Sequence, residues 1–338
     1  IAVYILNAAQ VRQLVGVLKR VAPETVVVLG GPEVSHLPLR VDLSEADYLI
    51  QGEGELAFAA LCRAILADHR PDERIIPAQT VAVETLASAY PYYTKEDLAH
   101  RLIYVEAARG CPFRCEFCLS SIDPKVRPFA IDWFLGELEA LWQRGARTFK
   151  FVDRTFNSNP TTAERILDYF LAKTPPFHVH FEVIPDHFPE ALKERLSRFP
   201  AFTLQLEVGI QTLDAQTAAN ISRRLAFDRI QDNLAFLERE TTAHLHVDLI
   251  VGLPGESIAQ FGRNLNTLMS LARGEIQIGI LKKLSGTTIN RHDQVHGMVY
   301  SPDPPYEILQ NNLISCAVMR AAPRLGRVGG LVAGCVAF

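Results

Sequence analysis

The sequence predicts an α/β protein of two domains, and three observations carry that expectation. Apolar strand-like runs alternate with helical periodicity along most of the chain, the pattern of parallel sheets covered by helices. Between Arg70 and His100 the periodicity fades and Pro71, Pro77 and Pro91 appear, which marks a linker. Beyond it, several strands alternate apolar with polar residues. A helix-covered parallel strand normally reads as apolar on both sides, so a polar face implies a lumen that holds a ligand.

In chain order, "IAVYIL" reads as a strand, "AAQVRQLVGVLKRVA" as a helix, "TVVVLGG" as a buried strand, "ADYLI" as a short one and "GELAFAALCRAILA" as a helix. Gly30, Gly31, Gly52 and Gly54 follow these strands. They either shape loops at the carboxyl edge of a sheet, where such folds bind ligands, or are tight turns. A second domain begins near Leu102. In "FTLQLEVGIQT", Leu204, Leu206, Val208 and Ile210 point one way and Gln205, Glu207, Gly209 and Gln211 the other. His178, His180 and Glu182 form the polar set of "HVHFEVIPD", as His244, His246 and Asp248 do in "HLHVDLIVG". An antiparallel sheet with one wet face is the alternative, and the helices between the strands disfavour it.

The 338 residues, 48% apolar and 21% charged, suffice for two domains. A net charge of −4 with scattered Lys and Arg disfavours a nucleic-acid partner. No signal peptide and no apolar run of roughly 18 residues is present, so a soluble protein with no membrane partner is expected. Six cysteines are too few for a disulfide scaffold, and three crowd into one loop, which suggests metal ligation in a reducing compartment, the cytoplasm. Cys62 and Cys316 lie in apolar helical patterns and read as small hydrophobes. The chain opens without Met on "IAVYIL" and closes on "VGGLVAGCVAF", and neither end reads as a natural boundary.

In "RGCPFRCEFCLSS", Cys111, Cys115 and Cys118 stand at a C-x3-C-x2-C spacing. Three thiolates can hold three irons of a four-iron cluster and leave the fourth open to another ligand. Structural zinc would need a distant fourth ligand, and an electron-transfer cluster a fourth cysteine.

With Phe117 just before its last cysteine, the motif resembles the signature of the radical S-adenosylmethionine (SAM) superfamily. That resemblance implies a 4Fe-4S cluster on the three cysteines, SAM bound to its open iron, and an electron from the cluster that cleaves SAM to a 5'-deoxyadenosyl radical. It also implies further SAM-binding residues. Phe117 lies in the cluster loop. "FKFVDRTFN" resembles the second-strand motif near the SAM methionine, with Asp153 and Asn157; Glu182, Gln205 and Glu207 sit where strands three and four present polar groups. "LIVGLPGES" resembles the strand-five motif, with Ile250 and Gly252 near adenine, although Glu256 stands one residue beyond the usual spacing. The alternative for the acidic residues is a polar side chain filling space in the barrel. No catalytic residue is singled out.

"VVVLGGPEVS" and "ADYLIQGEGE" ahead of "YVEAARGCPFRC" resemble the cobalamin-binding subgroup of that superfamily, and "LKKLSGTTI" and "SPDPPYEIL" one of its branches. The resemblance covers residues 1 to 312. It implies a Rossmann-like domain of cobalamin-binding type over 1–70, lacking its first strands, a linker over 71–100, a partial (β/α)6 radical SAM barrel over 101–300, and a C-terminal segment over 301–338. Gly30, Gly31, Ser35, Gly52 and Gly54 would then border cobalamin. No D-x-H-x-x-G sequence is present, and His36 lacks that context, so no histidine of this chain is expected on cobalt. The implied reaction is methyl transfer to an unactivated carbon of a small-molecule or peptide substrate, with an electron donor such as flavodoxin or ferredoxin. Two alternatives stand beside it: a radical SAM enzyme without cobalamin whose first domain binds substrate or a partner, and a non-catalytic zinc module.

Overall fold

The computed structural model describes residues 1–321. The later part of the C-terminal segment, from 322 on, lies outside the described residues. The opening run "IAVYIL" forms a single parallel bridge, Ala2 to Gly30, in place of the expected strand. Asn7 explains the difference: its Oδ1 accepts the Tyr4 N–H at 2.7 Å and its Nδ2 donates to the Ala2 carbonyl, which folds the chain into a turn just before a helix. That helix, α1 (Ala8–Val21), buries Ala8, Val11 and Val15 at helical spacing against Leu29 and Leu49.

Three short parallel strands make the first sheet: β1 (Val28–Leu29), β2 (Tyr48–Gln51) and β3 (Ile75–Pro77), in that order. The stretch expected as a linker thus contributes β3, whose Ile75 and Ile76 pair with Leu49 and Ile50. Three residues ending in proline leave too little alternation for a strand to be visible in the sequence.

Among the described residues the second sheet has six strands in sequence order: β4 (Ile103–Val105), β5 (Thr148–Phe151), β6 (His178–Val183), β7 (Leu204–Gln211), β8 (His244–Val251) and β9 (Glu275–Ile280). Every neighbouring pair is parallel, so the α/β expectation holds and the antiparallel alternative does not. A helix intervenes between each strand and the next: Ile131–Gln143, Pro160–Leu171, Glu190–Leu196, Phe227–Glu240 and Ile258–Leu271. The second of these starts where its sequence dictates, with Pro160 in the first turn and Asn159 accepting the Thr162 N–H.

One face of this sheet meets the helices. Phe149, Phe151 and Phe181 are fully buried, and Phe149 packs edge-on against Phe170 with ring centroids 5.5 Å apart. The opposite face is the polar one. Register sets Lys150 beside His180, Glu182 beside Glu207, and Glu207 beside His246.

Candidate functional site

The cysteine loop is shaped by its backbone. Gly110, just before Cys111, has φ +87°, and a Cβ there would stand 2.4 Å from the Lys125 carbonyl oxygen, so only glycine fits. The Cys111 N–H reaches the Asp123 carbonyl at 3.0 Å, and the Cys118 N–H folds back to Cys115 at 3.1 Å. Glu116, between two of the cysteines, is buried and anchors the loop: its carboxylate accepts bonds from Ser222 and Arg291 and lies 2.9 Å from His292 Nε2.

Cys111, Cys115 and Cys118 are free thiols, and all three open on one cavity of about 700 Å³. Arg154, Glu182, Glu207, Asp248 and Arg223 share that cavity. Its volume lies within the range of small-molecule and cofactor sites. Arg223 Nη1 stands 3.6 Å from Cys115 Sγ, and the same guanidinium donates to the Gly209 carbonyl. Arg154 holds Glu182 with contacts of 2.9 and 3.2 Å.

Burial raises the Cys111 and Cys115 thiols, and the neighbouring thiols raise them further, while Arg223 opposes the rise at Cys115. Thiols crowded in this way give up their protons when a cationic metal centre binds them as thiolates. Glu207 is held low by the His180 imidazole, whose Nε2 lies 3.0 Å from its carboxylate, and by Lys150, although burial opposes them. Asp248 is pushed up to about 7 by burial, with Glu207 and Glu182 adding to it.

Of the SAM-binding residues expected from the sequence, Phe117, Glu182 and Glu207 line this cavity with the cysteines. The others stand off it. Asp153 is buried, accepts the Ala107 N–H at 3.0 Å, and is pushed up to about 7 chiefly by desolvation. Asn157 clamps the loop after β6: its Oδ1 accepts the Ile184 N–H at 2.7 Å, and its Nδ2 donates to the carbonyls of Ile184 and His187. Ile184 and His187 themselves line the cavity, so Asn157 shapes its wall from behind. Gln205 contacts His246, Ile250 is half-buried on the polar face of β8, and Gly252 has φ +92° with Ile308 and Met319 packed against its Cα.

In the first sheet, Ser35 joins the two glycine loops: its Oγ donates to the Gly31 carbonyl at 2.8 Å and accepts the Gly52 N–H at 3.0 Å. Gly30 bridges Ala2, and Gly31 lets the Val3 backbone approach, since a Cβ there would meet the Val3 oxygen at 2.8 Å. Gly54 caps the helix Glu55–Leu66. These loops reach the cysteine loop through Arg109, 2.7 Å from Glu55, and through Arg127, which pairs with Glu53.

Arg154, Arg223 and Glu116 were not singled out by the sequence. Arg223 lies 108 residues from Cys115, and no local pattern links them. The sequence "DRT" did place Arg154 beside Asp153, at the end of a strand with a polar face, which is the one signal that could have found it.

A parallel βα sheet carries three thiols at its carboxyl edge, and residues 105–268 match the model of the Radical SAM superfamily. Among curated proteins it is similar to the cobalamin-dependent radical SAM methyltransferase TokK of Streptomyces tokunonensis, with 24% identity over 332 residues, 86% of this chain and 48% of TokK. It is also similar to an uncharacterized methyltransferase of Synechocystis, with 32% identity over 146 residues, 42% of this chain and 26% of that protein. The chain therefore spans half or less of the length of these relatives. Among solved structures, the radical SAM methyltransferase TsrM of Kitasatospora setae shares the fold at a TM-score of 0.68 and 18% identity, over 84% of this chain and 60% of that one.

Proposed function

We propose that this chain is the cofactor-binding part of a cobalamin-dependent radical SAM methyltransferase. The observation that carries the proposal is the convergence of three free thiols, four guanidinium groups and four carboxyl groups on one cavity. Cys111, Cys115 and Cys118 would ligate a 4Fe-4S cluster, which with SAM bound supplies reductive cleavage to a carbon radical or activation of its methyl group.

Arg223 and Arg154 offer positive charge where a carboxylate could sit near the cysteines, and Glu182 and Glu207 are placed to accept from an amine or from ribose hydroxyls. Phe117 gives an apolar wall. Ile250 and Gly252 would shape the strand edges around the base, Asp153 and Asn157 would hold the backbone that frames the ligand, and Gln205 keeps to the amino-terminal end of β7 beside His246. The polar lumen and the strand order support a partial (β/α)6 barrel over 101–300.

Residues 1–70 are proposed as a Rossmann-like domain of cobalamin-binding type, joined to the barrel through 71–100. Support comes from its parallel strands and from the loops of Gly30, Gly31, Ser35, Gly52 and Gly54, which Ser35 brings together beside the cysteine loop. The His36 ring packs over Gly286, where a Cβ would meet it at 2.5 Å, which supports a cobalamin without a histidine ligand from this chain. TokK is named a cobalamin-dependent methyltransferase, which favours methyl transfer here. A flavodoxin- or ferredoxin-type donor in a reducing cytoplasm would deliver the electron, and the substrate would be a small molecule or peptide. No described helix is long and apolar enough to cross a membrane.

The test is anaerobic incubation of reduced, cluster-loaded protein with SAM and hydroxocobalamin. Formation of 5'-deoxyadenosine or S-adenosylhomocysteine, with cobalamin retained through gel filtration, is expected. No SAM-derived product would overturn the proposal, and product without retained cobalamin would overturn its cobalamin part.

A further inference from the structure

The polar face of the barrel sheet has a second concentration of ligand-type side chains, at the amino-terminal ends of the strands. His244 is the first residue of β8, and His246 lies two residues on, on the same face. Glu275 opens β9 and stands opposite His246 in register. One donor atom from each of the three residues lies within 4.8 Å of the other two. His244 Nε2 and His246 Nε2 are 2.7 Å apart, and His246 Nε2 is 3.4 Å from Glu275 Oε2.

We propose that His244, His246 and Glu275 bind one divalent transition-metal ion of the zinc type, separate from the cysteine site. Ligand atoms at tetrahedral angles around zinc, with bonds of about 2.0 to 2.2 Å, stand about 3.3 Å apart. The His246–Glu275 spacing already matches that separation, and the two imidazoles need only open by about half an ångström. His244 and Glu275 are exposed, so their side chains have room to move. Two imidazoles and one carboxylate select transition metals over magnesium or calcium, which prefer oxygen ligands throughout.

The surroundings of His246 suit a ligand. Its Nδ1 faces the side-chain amide of Gln277 at 2.5 Å and that of Gln205 at 3.5 Å. An amide oxygen in either place accepts the Nδ1 proton and leaves the Nε2 lone pair for the metal. Asp248, the next residue on that face, lines the cavity with the cysteines, whereas His244, His246 and Glu275 do not. Among the described residues β9 is an edge strand whose only sheet neighbour is β8, so an ion shared by the two would clamp the edge of the barrel at the end away from the proposed SAM site.

Zinc would also enter an empty cysteine site, so the test uses anaerobic, cluster-loaded protein. Calorimetric titration with Zn²⁺ should show one ion bound per chain, with affinity weakened tenfold or more in both His244→Ala and Glu275→Gln and iron content unchanged in each. Zinc should also raise the unfolding temperature of the wild-type protein and not that of the variants. Absence of zinc uptake at micromolar concentration, or wild-type affinity in either variant, would overturn the proposal and leave the pair as a histidine–histidine hydrogen bond.

Discussion

Arg223 Nη1 lies 3.6 Å from the sulfur of Cys115, and its guanidinium is fixed at the other end by the Gly209 carbonyl of β7. A rigidly held positive charge beside a buried thiol favours its thiolate and the more reduced state of any cluster that the thiolate holds. Arg223→Gln should therefore lower iron retention and move the cluster potential to a more negative value. Loss of one charge-assisted bond is worth about 1.5 to 3 kcal/mol, roughly tenfold or more in affinity. Iron analysis and an anaerobic redox titration followed by electron paramagnetic resonance check this; an unmoved potential would remove Arg223 from the cluster's environment.

Glu207 is held ionised by His180 and Lys150 at the wall of the cavity. Glu207→Ala should weaken SAM binding by about 1.5 to 3 kcal/mol, the value of one charge-assisted hydrogen bond. Its native-state pKa is depressed, so the stability it contributes is present above the ordinary carboxylate pKa and is lost as pH falls through the folded value. SAM calorimetry on the variant decides the binding part, and unchanged affinity would exclude it.

Asp153 and Asp248 behave oppositely, since burial pushes each up to about 7. A raised carboxyl pKa contributes stability that is full below the unfolded value, about 3.9, and is lost as pH rises through the folded one. Stability should thus fall between pH 4 and 7 through these two groups. Asp153→Asn, which keeps an oxygen for the Ala107 N–H, should flatten part of that slope. Chemical denaturation at pH 5, 6 and 7 measures it, and an unchanged slope in the variant would contradict the assignment.

Gly110→Ala should disrupt the cysteine loop more than its size suggests. The added Cβ meets a backbone carbonyl at 2.4 Å and needs a positive φ, a strain of order 1 to 3 kcal/mol before any clash. Iron content should drop sharply while far-ultraviolet circular dichroism stays near wild type. Full iron loading would show that the loop tolerates another conformation.

Much of this architecture was legible in the sequence because it repeats with a period. Alternation along "FTLQLEVGIQT" placed Glu207 on a polar face, and β7 shows that alternation residue by residue in its burial. Cysteine spacing marked the loop without help from the fold. What stayed hidden depends on contacts between distant residues. Arg223 and Glu116 become informative only when Gly209, Ser222 and His292 arrive beside them. Asn157 looked like a ligand-facing polar residue, and the turn of the chain after β6 decides that its amide spends its bonds on Ile184 and His187. "IAVYIL" had the composition of a strand, and one asparagine side chain ended it.

The central claim is that Cys111, Cys115 and Cys118 alone hold an iron–sulfur cluster. Iron, sulfide and zinc should be measured on anaerobically prepared wild-type protein and on Cys111→Ala, Cys115→Ala and Cys118→Ala. About four irons and four sulfides per wild-type chain, falling sharply in each variant, are expected for a four-iron cluster. Zinc in place of iron in the wild-type site, or a full complement of iron in any one of the variants, would contradict it.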